Sequence, residues 1–369
     1  MANKLSHSSV TKHQHCGEAW RLHYIEGLRP VRTHAALLFG TAVGNGIEAI
    51  DLGKDGYTVF NAFWQNQYLN KVQTDLPFCI DIVYAESDFD KDLFMMEFNE
   101  ADFTNFNMND VIQAVQYKEE KGYENCPDEI KELANYGYWV TLKVKGRLML
   151  DAYIRDIKPK IKKVYSTQEA VELENEHGDM VVMYLDKVVD FEGYDKPVIL
   201  DDKTAAREYK EESAIYSPQL TLYVNGVGEK YGTRYAGFIV LSKIVIKNKV
   251  KICKTCQYNG SEGSHKTCPA EYQQTVETKK GLVTKDVRCN GEWDVTMNPK
   301  VNTQVIIDEI PIETENLVME NIENINSSIK NGIFTKNLSS CLSSFGKPCD
   351  FINLCYRGSM QGLVKIEKK

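Results

Sequence analysis

The 369-residue chain is 43% apolar and 26% charged, ordinary for a soluble globular protein, and its length allows one elaborated domain or two. A net charge of −8 argues against a surface coated in positive charge for nonspecific nucleic-acid binding, though a local basic groove stays compatible with it. No apolar run approaches membrane-spanning length, and the opening residues 1–7 lack the apolar core of a signal peptide, so a cytoplasmic protein without a membrane partner is expected.

In chain order, residues 5–29 predict one Ser-capped helix, and residues 34–50 predict a second helix with small residues on one side. Residues 55–137 are aromatic-rich and mostly helical in pattern, with Asn/Asp-rich interruptions near 98–110. From Tyr138 to Lys203 strand-like patterns dominate: the stretch from Trp139 to Val144, the stretch from Tyr165 to Leu173, and a hairpin over 180–203. A helix carrying Gln219, a strand over 235–242, a strand over 303–310 and a last helix over about 313–332 follow. This order predicts an α/β fold, a mixed central sheet flanked by helices.

The hairpin carries the chemistry. Its first strand, from Met180 to Leu185, closes in Asp186; its second, from Pro197 to Leu200, ends in Asp201, Asp202 and Lys203. Apolar strands ending in charge are costly unless the charges face a cleft holding a compensating cation. Antiparallel pairing brings Asp186 and Asp201 side by side, where two repelling carboxylates suit a hard divalent cation with oxygen ligands. Lys203 shares a strand face with Asp201, while Asp202 points to the opposite face and reads as a neighbour rather than a ligand. Such a set suits phosphodiester hydrolysis: the metal activates water and screens phosphate, and the lysine stabilises developing charge. Gln219 and Tyr223, four apart, share one helix face. The plainer alternative is a hairpin ending in surface charges, followed by an ordinary amphipathic helix.

These residues resemble the PD-(D/E)XK nuclease superfamily in its RecB-like branch, over roughly residues 5–50 and 138–360. Asp186 matches the first acid, Asp201 the second, Lys203 the lysine, and Gln219 with Tyr223 the Gln-x-x-x-Tyr helix motif. The resemblance implies a restriction-endonuclease-like fold, with Gln219 and Tyr223 contacting DNA or positioning the catalytic residues. RecB-like nucleases usually carry a metal-binding His on the first core helix in a Gly-x-x-x-His context; here the stretch from Gly40 ends in Gly44, which has no side chain to ligate. Glu48, one turn on, either supplies the missing ligand or is a solvated helix residue. Glu169 is a further candidate acid, because RecB-like proteins often carry a Glu on the strand before the hairpin.

Ten cysteines without a secretory signal read as metal ligands before disulfides. Cys253, Cys256, Cys268 and Cys289 have the spacing of a structural zinc site in a polar segment, with His265 an alternative fourth ligand; otherwise this is a flexible hairpin with incidental cysteines. Lys247, Lys249, Lys251, Lys254 and Lys266 nearby suit either a DNA backbone or an ordinary solvated loop. Cys341, Cys349 and Cys355 are one thiol short of the four that hold an iron–sulfur cube. The chain is similar to AddB-like and CRISPR-associated RecB-like nucleases, in which one N-terminal and three C-terminal cysteines hold a 4Fe–4S cluster, so the resemblance assigns Cys16 to this set. The gap from Cys341 to Cys349 is longer than is typical there, and Gly17 replaces a common proline. Four reduced cysteines, or zinc, are the alternatives. Cys79 and Cys126 suit buried structural roles.

The implied layout is N-terminal core helices with the first cluster cysteine over 1–54, a helical insertion over 55–137 and a catalytic core over 138–249. A zinc-binding insertion over 250–295 and core completion with the iron–sulfur segment over 296–369 follow. The implied function is a Mg²⁺- or Mn²⁺-dependent DNA nuclease, an exonuclease of phage-type recombination, repair or processing, working in the host cytoplasm if phage-encoded. A catalytically weak DNA-binding or scaffold subunit is the alternative. No Gly-x4-Gly-Lys-Ser/Thr loop is present, so the chain lacks the usual means of fuelling its own helicase activity, and a helicase or recombination partner stays compatible with it.

Overall fold

A computed structural model describes residues 4–30, 35–73, 89–98, 107–122, 125–174, 180–261, 265–279, 281–342 and 348–366. The chain divides into two units, residues 1–243 with 303–369, and residues 244–302.

In the larger unit, strand β1 (Lys4–Leu5) leads into helices α1 (His7–His15) and α2 (Gly17–Tyr24), and then β2 (Leu28–Pro30). The single helix expected over 5–29 is thus broken at Cys16, whose extended backbone (φ −164°) ends α1 and starts α2. The Ser cap is Ser6, whose Oγ accepts from the Ser9 N–H at 3.1 Å. Helices α3 (Ala35–Asp51), α4 (Gly56–Gln73), α5 (Lys91–Glu97), α6 (Met108–Lys121) and α7 (Asp128–Ala152) follow.

The expected strand over 139–144 lies inside α7, so the division drawn at 137/138 falls mid-helix. Its β-branched and aromatic residues mimic a strand pattern, but α7 is buried on several sides at once, which erases helical periodicity. Gly137 and Gly146 allow the close approach: a Cβ at Gly146 would lie 2.3 Å from the Phe60 ring. Trp64 and Trp139 stack with centroids 6.4 Å apart, and each indole N–H donates to the other's carbonyl at 3.2 and 3.4 Å. Cys126 is buried, its thiol 3.4 Å from the Gly122 carbonyl; Cys79 lies outside the described residues.

The rest of the unit builds a central mixed sheet flanked by helices. Its elements are β3 (Ile161–Glu174), β4 (Met180–Phe191), β5 (Val198–Ala205), α8 (Pro218–Tyr231), β6 (Tyr235–Cys253), β9 (Trp293–Glu309), α9 (Ile312–Lys330), α10 (Ile352–Arg357) and β10 (Leu363–Lys365). The two longest of these strands, β6 and β9, run on into the smaller unit. The strand order is β1-β4-β5-β6-β9, with β3 on the other edge of β4. β1 and β4 are parallel, β4 is antiparallel to β3 and β5, and β5 and β6 are parallel. One face packs on α8, α9 and the α1–α2 pair through Leu185, Ile199, Tyr223, Phe238 and Ile325. Between β6 and β9, β7 (Glu271–Thr278) and β8 (Gly281–Arg288) form an antiparallel hairpin in the smaller unit. Among the described residues no helix is long and apolar enough to cross a membrane.

A buried ion cluster sits on the opposite face of β4 and β5. The Lys187 ammonium, 2% exposed, donates to Asp51 Oδ2 at 2.7 Å and Tyr153 OH at 2.8 Å, and meets Asp202 Oδ2 at 2.8 Å. Its three protons therefore have three partners. The Tyr153 hydroxyl donates in turn to Asp51 Oδ1 at 2.7 Å, and Lys158 lies 3.3 Å from that oxygen. Tyr153 is placed there by a π-helical turn, Tyr153–Ile157, at the end of α7. Burial alone would lower Lys187, but Asp202, Tyr153 and Asp51 outweigh it and hold the ammonium charged. Replacing Lys187 with Met leaves two carboxylates buried without their cation, and we expect a loss of about 3–5 kcal/mol in urea denaturation. A triple Asp51→Asn, Lys187→Met, Asp202→Asn variant should recover part of that loss.

Candidate functional site

The edge of β4 that faces β5 is paired only at its ends. Met180 and Val181 pair with β1, and Lys187 to Val189 pair with β5. Between them the sheet forks, and the groups singled out in the sequence fill the fork. Asp186 Oδ2 accepts the Asp202 backbone N–H at 2.8 Å, substituting for a ladder carbonyl. The Tyr184 carbonyl accepts the Tyr223 hydroxyl at 2.8 Å. Ser217 caps α8, accepting from the Leu220 N–H at 3.3 Å, and Pro218 starts the helix. Gln219 therefore lies in the first turn of α8. Its Nε2 donates to Asp201 Oδ1 at 2.8 Å and to Tyr223 OH at 2.7 Å, and its Oε1 accepts from Lys203 at 3.2 Å. Lys203 Nζ lies 2.5 Å from Asp201 Oδ2. Asp186, Asp201, Lys203, Gln219 and Tyr223 thus form one constellation. Asp202 faces Lys187, on the far side.

The electrostatics are strained. Burial, then repulsion from Asp201, pushes Asp186 up to about 6. Burial also raises Asp201 against the pull of Lys203, and that same carboxylate keeps Lys203 above the usual lysine value despite its burial. Asp201 Oδ2 is buried without a well-aligned hydrogen bond; the Lys203 ammonium is its ionic neighbour. Two repelling carboxylates with such an oxygen are a donor set that a hard cation fits.

The two further acids each hydrogen-bond a group outside the constellation. Glu48 is half-buried and accepts from Thr167 Oγ1 at 3.3 Å. Glu169 does not join the constellation: its carboxylate takes Lys230 and the Tyr231 hydroxyl at 2.6 Å, and it stands opposite Leu185 rather than Asp186. The residue between the Thr167–Lys187 and Glu169–Leu185 pairs, hence opposite Asp186, is Gln168, whose Nε2 is 3.4 Å from Asp186 Oδ1. Its φ of 48° is an uncommon, strained backbone for a non-glycine residue. Sequence reasoning missed Gln168, and only the β3–β4 register could have found it. His7, at the start of α1, was also missed; burial and then the charge of Lys203 lower its pKa.

Cys16, Cys341, Cys349 and Cys355 line one cavity of about 250 Å³ with Lys336, Asn337 and Tyr356. The two ends of the chain are tied here. β2 pairs antiparallel with β10, Trp20 stacks on Phe334 at 5.9 Å, and the Asn337 N–H lies 3.5 Å from the Cys16 sulfur. Gly17 has a steric reason: a Cβ there would lie 2.9 Å from the Thr335 nitrogen. Burial raises the Cys349 and Cys355 thiols.

In the smaller unit Cys253, Cys256, Cys268 and Cys289 place their sulfurs within 4.8 Å of one another, a group that could hold a metal ion. The Cys253–Cys289 and Cys256–Cys268 sulfurs are 3.5 Å apart, near the ~3.8 Å edge of a tetrahedron with 2.3 Å metal–sulfur bonds. Burial works against the Cys253 thiolate, but N–H groups of Cys256 and Thr255 draw it down to about 6. Burial raises the Cys268 and Cys289 thiols, against the pull of the Ala270 and Gly291 N–H groups. Gly291 is obligatory, since a Cβ would lie 2.7 Å from the Cys253 sulfur. His265 is exposed and outside the group; its carbonyl accepts the Trp293 indole N–H at 2.9 Å.

No family model and no curated protein matches the chain. A solved structure titled "Crystal structure of SSO0001" is similar at 10% identity over 64% of this chain and 84% of that one, with a TM-score of 0.22, which is too low to carry an argument.

The raised Asp186 has a thermodynamic consequence. Between the ordinary value of 3.8 and about 6, the folded metal-free protein binds a proton that the unfolded chain has released. Stability conferred by that proton is present below 3.8 and is lost as pH rises through about 6. The stability of the wild type relative to Asp186→Asn should therefore fall across this window in chemical denaturation, and a divalent cation should remove the deficit at pH 7.

Proposed function

We propose that this chain is a divalent-cation-dependent DNA nuclease of the PD-(D/E)XK type, with a restriction-endonuclease-like core of the RecB-like branch, acting as an exonuclease in phage-type recombination, repair or processing. The observation that carries this reading is the closure of Asp186, Asp201, Lys203, Gln219 and Tyr223 around one fork in the sheet. Asp186 and Asp201 would hold Mg²⁺ or Mn²⁺, which when bound activates water and screens the phosphate. Lys203, kept charged by Asp201, stabilises negative charge developing on the phosphate oxygens. Gln219 fixes both Asp201 and Lys203, and Tyr223 holds Gln219 and the open edge of β4.

A second reading is a catalytically weak DNA-binding or scaffold subunit beside a helicase or recombination partner. It draws on Gly44, which offers no ligand, and on Glu48 and Glu169, which take hydrogen bonds from Thr167 and Tyr231. Cleavage of end-labelled DNA separates the two. The wild type should cut only with Mg²⁺ or Mn²⁺, and Asp201→Ala and Lys203→Ala should cut at least a hundredfold more slowly (about 2.7 kcal/mol) while remaining folded. Undiminished cleavage by folded Asp201→Ala would exclude the nuclease reading.

For the thiol groups we propose structural Zn²⁺ at Cys253, Cys256, Cys268 and Cys289, and a 4Fe–4S cluster at Cys16, Cys341, Cys349 and Cys355. The first set suits a single tetrahedral ion, whereas the second surrounds a cavity and joins both chain ends. Metal analysis of anaerobic protein should find one zinc and about four irons per chain. Cys256→Ser should lose the zinc and become protease-sensitive between Cys253 and Cys289. Cys16→Ala should lose the iron and the visible absorbance, with the zinc retained.

A further inference from the structure

We propose that residues 244–302 carry a groove for the sugar–phosphate backbone of DNA, lined by Lys247, Lys249 and Lys251. The inference rests on the nuclease reading for the identity of the partner and deepens it by locating a second contact surface. The three lysines occupy alternate positions on β6, so their side chains share one face with a spacing of ~6.6 Å along the strand. Together with Asn248, Asn259, Ser261 and Asn298 they line a concavity of about 560 Å³.

The wall is built rather than loose. The Gly260 N–H donates to the Lys251 carbonyl at 2.8 Å, and the Lys251 N–H donates to Ser261 Oγ at 3.1 Å. Ser261 N–H and Oγ both donate to Asn259 Oδ1, at 3.0 and 2.6 Å, which occupies the acceptor of that amide. Ammonium groups in a row with neutral amide donors match a linear polyanion. The other two lysines noted in the sequence, Lys254 and Lys266, do not line this concavity.

Charge is segregated in the same sense. Residues 244–302 hold ten Lys and Arg against six Asp and Glu, a net of +4 in a chain whose net is −8, so the remainder carries −12. A divalent metal on four thiolates would subtract two, at the cysteine end, and the unit would still be positive. This distribution places the attraction for phosphate in one small unit of an acidic chain.

The test uses the full-length protein and fluorescein-labelled oligodeoxynucleotides, single-stranded and duplex, titrated by anisotropy over a range of KCl without added divalent cation. A Lys247→Gln, Lys249→Gln, Lys251→Gln variant should bind the single strand on the order of ten- to a hundredfold more weakly. Its salt dependence should flatten by about two units of log Kd per log salt, because each phosphate that a lysine neutralises on a single strand adds about 0.7 to the slope. A Lys254→Gln, Lys266→Gln variant should match the wild type, and all three proteins should carry equal zinc and resist protease equally. Wild-type affinity and slope in the triple variant, equal loss in the control, tighter binding of an oligoribonucleotide of the same sequence, or a wild type that does not bind DNA would each overturn the groove. Cleavage with Mg²⁺, read separately, keeps the two proposals apart. An inactive wild type whose triple variant loses the slope leaves the groove standing and removes the nuclease. A cleaving wild type whose triple variant keeps the slope does the reverse.

Discussion

The buried ammonium of Lys187 is the constraint around which the larger unit is arranged. A cation removed from water is tolerated only where hydrogen bonds and opposite charge replace its hydration, and Lys187 finds them on three separate pieces of chain. Asp51 comes from the end of α3, Tyr153 from the turn that ends α7, and Asp202 from β5. The helical layer and the two central strands are therefore fixed relative to one another through one atom. The same cluster sets the acidic site on the other face. Asp202 is held by Lys187 through its side chain, while its backbone N–H is given to Asp186. Moving Lys187 would move the peptide that orients the Asp186 carboxylate. Burial pushes Asp202 up to about 6 against the pull of Lys187.

Two other regions have too little apolar material to organise themselves, and each gathers four cysteines. The chain ends meet over a small apolar cluster of Leu22, Leu28 and Phe351. In the smaller unit the β7–β8 hairpin is exposed on both faces. A two-stranded ribbon is marginal by itself in water, so its anchor must come from outside the hairpin. Cys268 and Cys289 stand at the two ends of the hairpin, and thiolate–metal bonds there would supply the energy that a core would otherwise provide.

The acidic hairpin was legible because strand periodicity and terminal charge are local signals. Asp186, Asp201, Lys203, Gln219 and Tyr223 could be placed without knowing any other part of the fold. The cysteine spacings were legible for the same reason. What the sequence concealed depended on burial from several sides or on register. Residues 139–144 alternate as a strand would, yet Gly137 and Gly146 let neighbouring helices press so close that every position of α7 from 134 to 142 is interior. The break at Cys16 replaced what reads as one continuous helix. Glu169 and Gln168 differ by one position, and which of them faces Asp186 depends on the β3–β4 pairing, where a slip of one residue exchanges the faces. Lys187 and Asp51 gave no signal at all, since a lone Lys beside an Asp in a strand reads as solvent-facing.

The Gln219–Tyr223 pair has a role in the sheet that its motif does not state. Where β4 leaves β5, the Tyr184 carbonyl and the Asp202 N–H lose their ladder partners, and burying them unsatisfied would cost about 1–3 kcal/mol each. Tyr223 satisfies the first and Asp186 the second. The fork is thereby kept open at little cost, and the opening is what leaves room between Asp186 and Asp201. Closing the ladder would satisfy the backbone equally well but would force the two carboxylates into an ordinary cross-strand pair. The helix motif and the first acid thus work as one device: each caps a backbone group that the fork exposes, and each thereby faces the same point. Two residues four apart on α8 and one at a strand end suffice for this because the fork is only a few residues long.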